Sequence, residues 1–342
     1  MRRPNLITLG IASALVLVVV SNVWTWPKYQ EDKTLTALQM ALEKGDFHSL
    51  YFQTQALRTG PNKGRSAVPI LIQALKSPDR LVRVNAADAL ARLGPESHNA
   101  VPRLAELLQD EDRDVRWSAA CAIGKVGALG AAVVPELVRS LAEDSSPSVR
   151  GASATALGKI GAQRELAIPA LVNALQDNNA GVRGDAAYGL YDFAAHAHPA
   201  VPALIERFDD QSEWVRGAAA SALGRIGAGD EAIITALTKA LRDNSEMVRR
   251  RGAWALGELG PSARHAVPGL IALLRDEDAH VRVQAAEALG RIGKDAAPAV
   301  PALLEALGDN AFGTFVDHAS MQEKVEYVRD HAREALRKIR EP

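Results

Sequence analysis

The sequence predicts an all-α protein in which helix pairs stack behind an N-terminal transmembrane helix. Three observations support this fold class. An uncharged apolar stretch lies near the N-terminus, a Val-Arg dipeptide recurs along the rest of the chain, and a proline marks the same interval half a unit away. A period of roughly 20–50 residues indicates a repeat architecture, in which units that cannot bury an apolar face alone share one core.

The composition fits a folded chain of this kind. The protein has 342 residues, of which 47% are hydrophobic, 24% charged and only 5% aromatic. The core must therefore consist mainly of small aliphatic side chains. The formal net charge is −1, and we expect no nucleic-acid partner, because binding to bulk nucleic acid needs a basic surface. A lone cysteine, Cys121, excludes an internal disulfide framework.

The N-terminal stretch has the length and composition of a membrane span. Residues 1–5 form a basic flank, residues 6–26 the predicted transmembrane signal-anchor, and residues 27–33 a linker. The span lacks charged residues from Leu6 to Val23 and ends in two tryptophans. A helix of about 20 apolar residues crosses a bilayer, and tryptophans are enriched where such helices leave it.

The flanking residues predict how this anchor is oriented. Arg2 and Arg3 precede the span, and positive charge favours the cytoplasmic side. We therefore expect a single-pass membrane protein whose repeats lie on the non-cytoplasmic side, in a bacterial periplasm or outside the cell. The alternative is a secretory signal, which would leave a secreted protein. A cleaved signal usually ends in small residues, and no clean site of that kind follows Val18.

After the linker, residues 34–64 predict a degenerate capping helix pair, and residues 65–307 the regular repeats. Each repeat contains a short apolar run opened by proline and a longer run that begins near Val-Arg. Proline is tolerated in the first turn of a helix, where its missing N–H has no partner. The repeated arginines are spaced by 33 or 34 residues until the last interval of 47, and they are Arg83, Arg116, Arg150, Arg183, Arg216, Arg249, Arg282 and Arg329.

The longer run of each repeat has the pattern of an amphipathic helix. Counting the arginine as position 0, apolar residues recur at −1, +3, +7 and +10, as from Val215 to Ile226. These positions share one face of a helix that turns about 100° per residue. A glycine follows in most repeats, where it can cap the helix end.

The C-terminal end departs from the pattern. The longer last interval predicts an insertion loop over residues 308–319. Residues 320–342 are predicted to form one capping helix, because Ser320 and Glu323 have the spacing of a capping box. The whole chain would then contain about nine helix pairs.

The repeated unit resembles the HEAT repeat. The pattern D-x-x-x-x-V-R-x-x-A-A-x-A-L-G-x-I-G, preceded by V-P-x-L-x-x-A-L, covers about residues 67–340. It is most similar to the subclass named after phycobilisome lyases, the PBS-lyase HEAT-like repeats. The resemblance implies a right-handed α-α superhelix whose second helices line the concave side. It implies no single activity, because the family includes scaffolds, adaptors and a few enzymes.

An aspartate six residues before most repeated arginines predicts a structural ladder between adjacent repeats. Charges that pair regularly along a repeat are typically packing devices. The predicted ladder contains Arg83, Arg116, Arg150, Arg183, Arg216, Arg249 and Arg282 with Asp110, Asp144, Asp177, Asp210, Asp243 and Asp276.

A few large residues depart from the small side chains opposite the apolar stripe of the second helices. Tryptophan, tyrosine and arginine are enriched at binding hot spots. The predicted partner-binding residues are Trp117, Tyr188, Tyr191, Arg250, Arg251 and Trp254. The alternative is that these side chains only fill gaps between neighbouring helices.

No catalytic motif is present: the chain lacks a phosphate-binding loop, a zinc-binding H-E-x-x-H and a nucleophile elbow. Asp192, His196 and His198 are of metal-ligand type, but no fourth ligand is visible, so we expect no metal and no cofactor. The predicted function is a membrane-tethered scaffold that binds a protein or peptide partner along the concave face of its second helices, without catalysis. The alternatives are an enzyme or enzyme subunit of the bilin lyase or isomerase type, and a purely architectural spacer.

Overall fold

The computed structural model describes residues 32–44, 46–59, 62, 64–227, 229–317 and 322–340. The predicted flank and the predicted anchor over residues 6–26 lie outside this part of the chain. Most of the predicted linker does too, although its last two residues, Asp32 and Lys33, already belong to the first helix.

The chain divides into two compact units, Met1–Val133 and Val134–Pro342. The N-terminal unit contains six helices among its described residues. They are α1 (residues 32–44), α2 (Phe47–Thr59), α3 (Val68–Ala74), α4 (Arg80–Leu93), α5 (Val101–Leu107) and α6 (Arg113–Val126). The longer helices α2, α4 and α6 pack side by side in sequence order.

The C-terminal unit continues the alternation of helices within its described residues. They are α7 (Val134–Glu143), α8 (Pro147–Ile160), α9 (Arg164–Ala174), α10 (Ala180–Phe193), α11 (Val201–Glu206), α12 (Glu213–Ile226), α13 (Glu231–Ala240), α14 (Glu246–Leu259), α15 (Val267–Leu273), α16 (Ala279–Ile292), α17 (Val300–Ala306) and α18 (Val328–Arg340). The second helices α8, α10, α12, α14, α16 and α18 form one continuous layer. The first helices pack against it, as α7 does against α8 and α13 against α14.

Local sequence explains where the second helices begin. Asp112 and Asn179 precede α6 and α10 in extended conformation, and each side chain accepts hydrogen bonds from backbone N–H groups of the first turn. These donors have no partner inside the helix, so such caps stabilise its start.

The ends of the second helices confirm most of the glycine pattern. Gly161, after α8, has a left-handed backbone with φ of 65°. Gly94, Gly127, Gly260 and Gly293 also have positive φ, from 57° to 74°, but their ψ of −142° to −132° lies outside the left-handed helical region. Two further positions lack a glycine with positive φ. Gly227, after α12, is extended with φ of −148°, and Ala194 occupies the glycine position after α10 with φ of 50°. Positive φ is unfavourable for a residue with a Cβ, so the end of α10 is a strained turn.

Small residues let the second helices approach closely. A Cβ added to Gly224 in α12 would lie 2.7 Å from the Cα of Ala255 in α14, closer than side chains tolerate. The core between the helices is filled by aliphatic side chains such as Leu157, Leu190 and Leu223, which are fully buried. This packing explains how the core forms with few aromatic residues.

The C-terminal end differs from the prediction. The last helix, α18, begins at Val328 and not at Ser320. Before it, strands β1 (Phe312–Asp317) and β2 (Gln322–Tyr327) pair antiparallel, with Phe312 opposite Tyr327. The segment is rich in β-branched and aromatic residues, which favour strands. This preference overrides the capping-box pattern, so residues 312–317 of the predicted insertion loop form one strand of a two-stranded sheet.

One helical stretch of the described residues, Arg113–Glu143, is long and apolar enough to span a membrane by length and composition alone. It consists of α6 and α7 with the turn at Gly127, where φ is 69°. Ile123 and Leu137 of this stretch are fully buried and belong to the core, whereas Trp117 and Leu129 are exposed.

Candidate functional site

The repeated arginines and aspartates lie at the turns that join the first and second helices. Arg150 donates from Nε and Nη2 to the two carboxylate oxygens of Asp177, at 2.7 and 2.8 Å. Its Nη1 donates to the backbone carbonyl of Asp144, six residues before it, at 2.9 Å. Each such arginine therefore joins its own turn to the turn of the next repeat.

The same arrangement recurs in other repeats, and in each of the following pairs the aspartate lies 27 residues ahead of the arginine. In the N-terminal unit, Arg83 bonds to Asp110, whose carbonyl accepts from Arg116. The equivalent pairs of the C-terminal unit are Arg183–Asp210, Arg216–Asp243, Arg249–Asp276 and Arg282–Asp309. Asp309 was absent from the predicted ladder, because no Val-Arg dipeptide follows it by six residues.

The ladder carboxylate of Asp177 is held in the ionised form. The hydrogen bond from Arg150 lowers the pKa of Asp177 against the opposing effect of partial burial, and the backbone N–H of Asn179 lowers it further. These arginines are thus neutralised within the protein and contribute to packing.

A cluster of aromatic rings lies on the outward side of α10, α12 and α14, which is the side that faces away from the buried core. Tyr188 lies 5.2 Å from Trp214 and 6.4 Å from Tyr191, measured between ring centroids. Tyr191 in turn lies 6.2 Å from Trp254. All four side chains are partly exposed, and Trp214 retains 37% of its surface. We call these four residues the aromatic surface.

Two arginines lie over these rings. The guanidinium of Arg251 is 5.4 Å from the Tyr188 ring and 5.5 Å from the Trp214 ring. That of Arg225 is 5.8 Å from the Tyr191 ring. Each distance falls within the range of a cation–π interaction. The predicted residues Tyr188, Tyr191, Arg251 and Trp254 are therefore brought together.

Glycines on the preceding helix make room for the large side chains. A Cβ on Gly184 of α10 would overlap the indole of Trp214, and one on Gly217 of α12 would lie 2.9 Å from Cδ of Arg251. The Trp214 ring and the Arg251 stem can therefore lie flat across the neighbouring helix. The small residues at this position of one repeat therefore leave space for a large side chain of the following repeat.

The remaining predicted residues lie apart from these contacts. Arg250 is half-buried on α14, next to Arg251. Trp117 belongs to α6 in the N-terminal unit, where 43% of its surface is exposed.

A family model for HEAT repeats matches residues 68–139, 102–191, 168–243 and 234–337, which together cover most of the chain. The chain belongs to the HEAT-repeat family. No curated protein matches the sequence.

Solved structures resemble the HEAT solenoid in fold. YibA of Escherichia coli is 20% identical, with 87% of this chain and 97% of that chain covered and a TM-score of 0.54. An engineered protein, structural-genomics target OR497, is 24% identical, with 90% and 88% covered and a TM-score of 0.53. Kap121p, solved with Pho4p bound, is 13% identical, with 89% and 37% covered and a TM-score of 0.61. At these identities the likeness shows the fold alone.

Beside the aromatic surface, charged residues of neighbouring HEAT repeats neutralise one another. Lys159 on α8 pairs with Asp192 on α10 at 3.0 Å, and Arg291 on α16 pairs with Glu258 on α14. The charges of Lys159 and Arg291 are thus compensated within the protein.

The three residues of metal-ligand type contact other side chains. Asp192 pairs with Lys159, His196 Nδ1 lies 3.1 Å from Arg164, and His198 lies 3.2 Å from Asp230. No group of three or more His, Cys, Asp or Glu in the described part of the chain is placed to hold a metal ion.

Trp214 of the aromatic surface and Arg225, which lies over the Tyr191 ring, were not among the predicted residues. Trp214 lies two residues before the repeated arginine, at a position that the helix pattern treats as the helix start. Arg225 resembles the basic residues at the same position of other repeats. Both act across helices, and contacts between repeats leave no signal within one repeat. An exposed tryptophan beside a repeated glycine is the clue that could have identified Trp214.

Proposed function

We propose that this protein is a membrane-tethered HEAT scaffold that binds a protein or peptide partner along the outward face of its second helices. The aromatic surface carries this proposal. Tyr188, Tyr191, Trp214 and Trp254 form one contiguous group across three helices and remain partly exposed. Rigid aromatic side chains with arginines beside them are the usual anchors of protein interfaces.

Packing alone accounts poorly for these rings. Gap-filling side chains in this protein are buried, as Leu190 and Phe193 are on the same helix. Tyr188 and Tyr191 instead lie outside the buried stripe. Burying an aromatic side chain against a partner would remove about 150–250 Å² of surface from water. Trp117 would extend binding to the N-terminal unit as a separate contact.

The membrane tether is part of the proposal. The uncharged stretch over residues 6–26, with arginines before it and tryptophans at its end, supports an anchor that leaves the repeats on the non-cytoplasmic side. A cysteine introduced at exposed Thr155 tests this in intact cells: a membrane-impermeant maleimide should label it without lysis, and the protein should sediment with membranes. Labelling only after lysis would refute the orientation, and soluble protein would indicate a cleaved signal.

The repeats are further proposed to be of the PBS-lyase HEAT-like kind, which rests on the recurring V-P, V-R and A-L-G motifs. That kinship keeps a bilin lyase or isomerase as the alternative function. An absorption band from a chromophore bound to the purified protein would favour it over the scaffold.

Site-specific crosslinking tests the scaffold. A photocrosslinking amino acid placed at Tyr191 should capture a defined partner in native membranes, and the Trp254→Ala change should reduce that capture. The same amino acid at Leu166, which is exposed on the first helix α9, is the matched control and should capture much less. Circular dichroism would verify that each variant folds.

Three outcomes are informative. Capture at residue 191 that depends on Trp254 supports binding at the aromatic surface. Equal capture at residues 191 and 166 would contradict a specific surface. No capture at either position, with folding intact, would favour the architectural spacer.

A further inference from the structure

We propose that the aromatic surface binds an acidic peptide segment. This inference deepens the proposed function and rests on it. Its starting point is a set of arginines, Arg225, Arg250 and Arg251, that differ from the ladder arginines of the same helices.

These three arginines form no ion pair among the described residues of the protein. Arg225 and Arg251 contact aromatic rings, and the one hydrogen bond of Arg251 goes to the hydroxyl of Ser221 at 3.2 Å. Arg216 and Arg249, by contrast, each bond to both oxygens of an aspartate. Positive charge therefore accumulates uncompensated on the outward face of α12 and α14.

Arg251 is partly buried and has no carboxylate partner among the described residues. Its stem lies over Gly217, and its guanidinium lies over both the Tyr188 ring and the Trp214 ring. Burial lowers the pKa of Arg251, with no opposing contribution from a nearby carboxylate. A partly desolvated guanidinium without an anion is costly, and a carboxylate that binds two of its N–H groups would offset that cost.

Two arginines mark where an acidic chain would bind. Arg251 lies over the Tyr188 ring and Arg225 lies over the Tyr191 ring. One carboxylate of a peptide at Arg251 and a second at Arg225 would each meet an arginine that has no acidic partner among the described residues.

A peptide fits this charge pattern better than a nucleic acid does. A nucleic-acid strand needs positive charge along its backbone. Here the flanking cations Lys159 and Arg291 are already paired with Asp192 and Glu258. The carboxylate of Asp185, on α10, lies against Gly151 of α8, and it forms no ion pair with any described residue. The uncompensated charge is therefore local and suits a short segment.

Fluorescence anisotropy with labelled peptides on the full-length protein in detergent tests the proposal. The probes are Gly-Glu-Ala-Glu-Ala-Glu-Gly, a version with Gln in place of Glu, and a ten-residue thymidine oligonucleotide. We expect the alternating acidic peptide to bind at least about tenfold more tightly than the Gln peptide, since hydrogen bonds between charged groups contribute at this scale.

Variants separate this site from general attraction between charges. Arg251→Gln should weaken binding of the alternating peptide about tenfold, since it removes a charge-assisted hydrogen bond. Arg139→Gln, which removes an exposed arginine from the first helix α7, should leave binding unchanged. Circular dichroism and the thermal midpoint would establish that both variants fold.

Other results would overturn the inference. Equal binding of the Glu and Gln peptides would exclude acidic recognition while leaving an aromatic scaffold intact. Tighter binding of the oligonucleotide would assign the surface to nucleic acid. Failure of every peptide to bind would exclude the acidic partner alone if crosslinking at residue 191 still succeeds, and would end both proposals if crosslinking fails as well.

Discussion

The Asp177→Asn substitution tests the ladder directly. It replaces a carboxylate that accepts two hydrogen bonds from Arg150 by a side chain of nearly the same shape. The amide oxygen can still accept from the backbone N–H of Asn179, now at 2.8 Å from the carboxylate. The turn is therefore preserved. The amide NH₂, however, would face the Nε–H of Arg150, and because both groups are donors, no hydrogen bond can form between them.

The structure sets the size of the effect. Only 12% of the Arg150 side chain and 13% of the Asp177 side chain are exposed. A hydrogen bond to a charged group contributes about 1.5–3 kcal/mol, and the variant keeps one of the two. With a discount for residual solvent contact, we expect a loss of about 1–2 kcal/mol in the free energy of unfolding at pH 7.

The pH dependence has a definite sign. Because the pKa of Asp177 is depressed in the folded protein, its stabilisation is fully present above the unfolded pKa of about 3.9. It is lost as the pH falls through the folded value. The stability difference between wild type and variant should therefore be constant from pH 7 to about pH 5, and shrink below about pH 4.

Urea unfolding followed by circular dichroism at pH 7, 5 and 3 measures this difference. Asp209→Asn is the matched control, because Asp209 pairs with Lys239 while 79% of its side chain is exposed; its effect should not be resolvable. An Asp177→Asn midpoint equal to that of wild type at pH 7 would refute the ladder argument. A difference that persists unchanged at pH 3 would refute its electrostatic origin.

Three further substitutions test the packing by the same urea unfolding. Gly224→Ala should lower the free energy of unfolding by about 1–3 kcal/mol, because its Cβ would overlap the backbone of Ala255; stabilisation would contradict this. Ala194→Gly should raise it by about 1 kcal/mol by relieving the positive φ, and a lower midpoint would contradict strain. Leu190→Ala should lower it by about 2–5 kcal/mol, and Leu166→Ala, at an exposed site, by far less; equal losses would contradict the assigned core.

The helix pairs could be predicted because the same sequence pattern recurs in each repeat. The proline of the first helix, the apolar stripe from Val215 to Ile226 and the end of each helix are local properties, and the structure confirms these helices. The positions of the ladder residues were also visible, since they recur with the repeat.

The rest depends on contacts that one repeat does not contain. The contact between Gly184 and the Trp214 ring joins two different helices, so this contact could not be inferred from the sequence of either helix alone. The strand pair at Phe312–Asp317 depends on a partner strand, whereas the capping-box signal at Ser320 is local and proved wrong. Of the predicted site, Trp117 lies in the N-terminal unit and stays a separate prediction.

Because the paired arginines and aspartates of the ladder are 27 residues apart in successive repeats, a whole repeat can be removed or added while the pairing is kept. Removal of residues 184–216 would join Arg183 to Gly217 and place Asp243 27 residues ahead of that arginine, where Asp210 stood before. No arginine would lose its carboxylate, so unequal recombination can shorten or lengthen such a gene by whole repeats without orphaned charges. The same deletion would remove Tyr188, Tyr191 and Trp214, so the ladder can outlast changes in what the surface recognises.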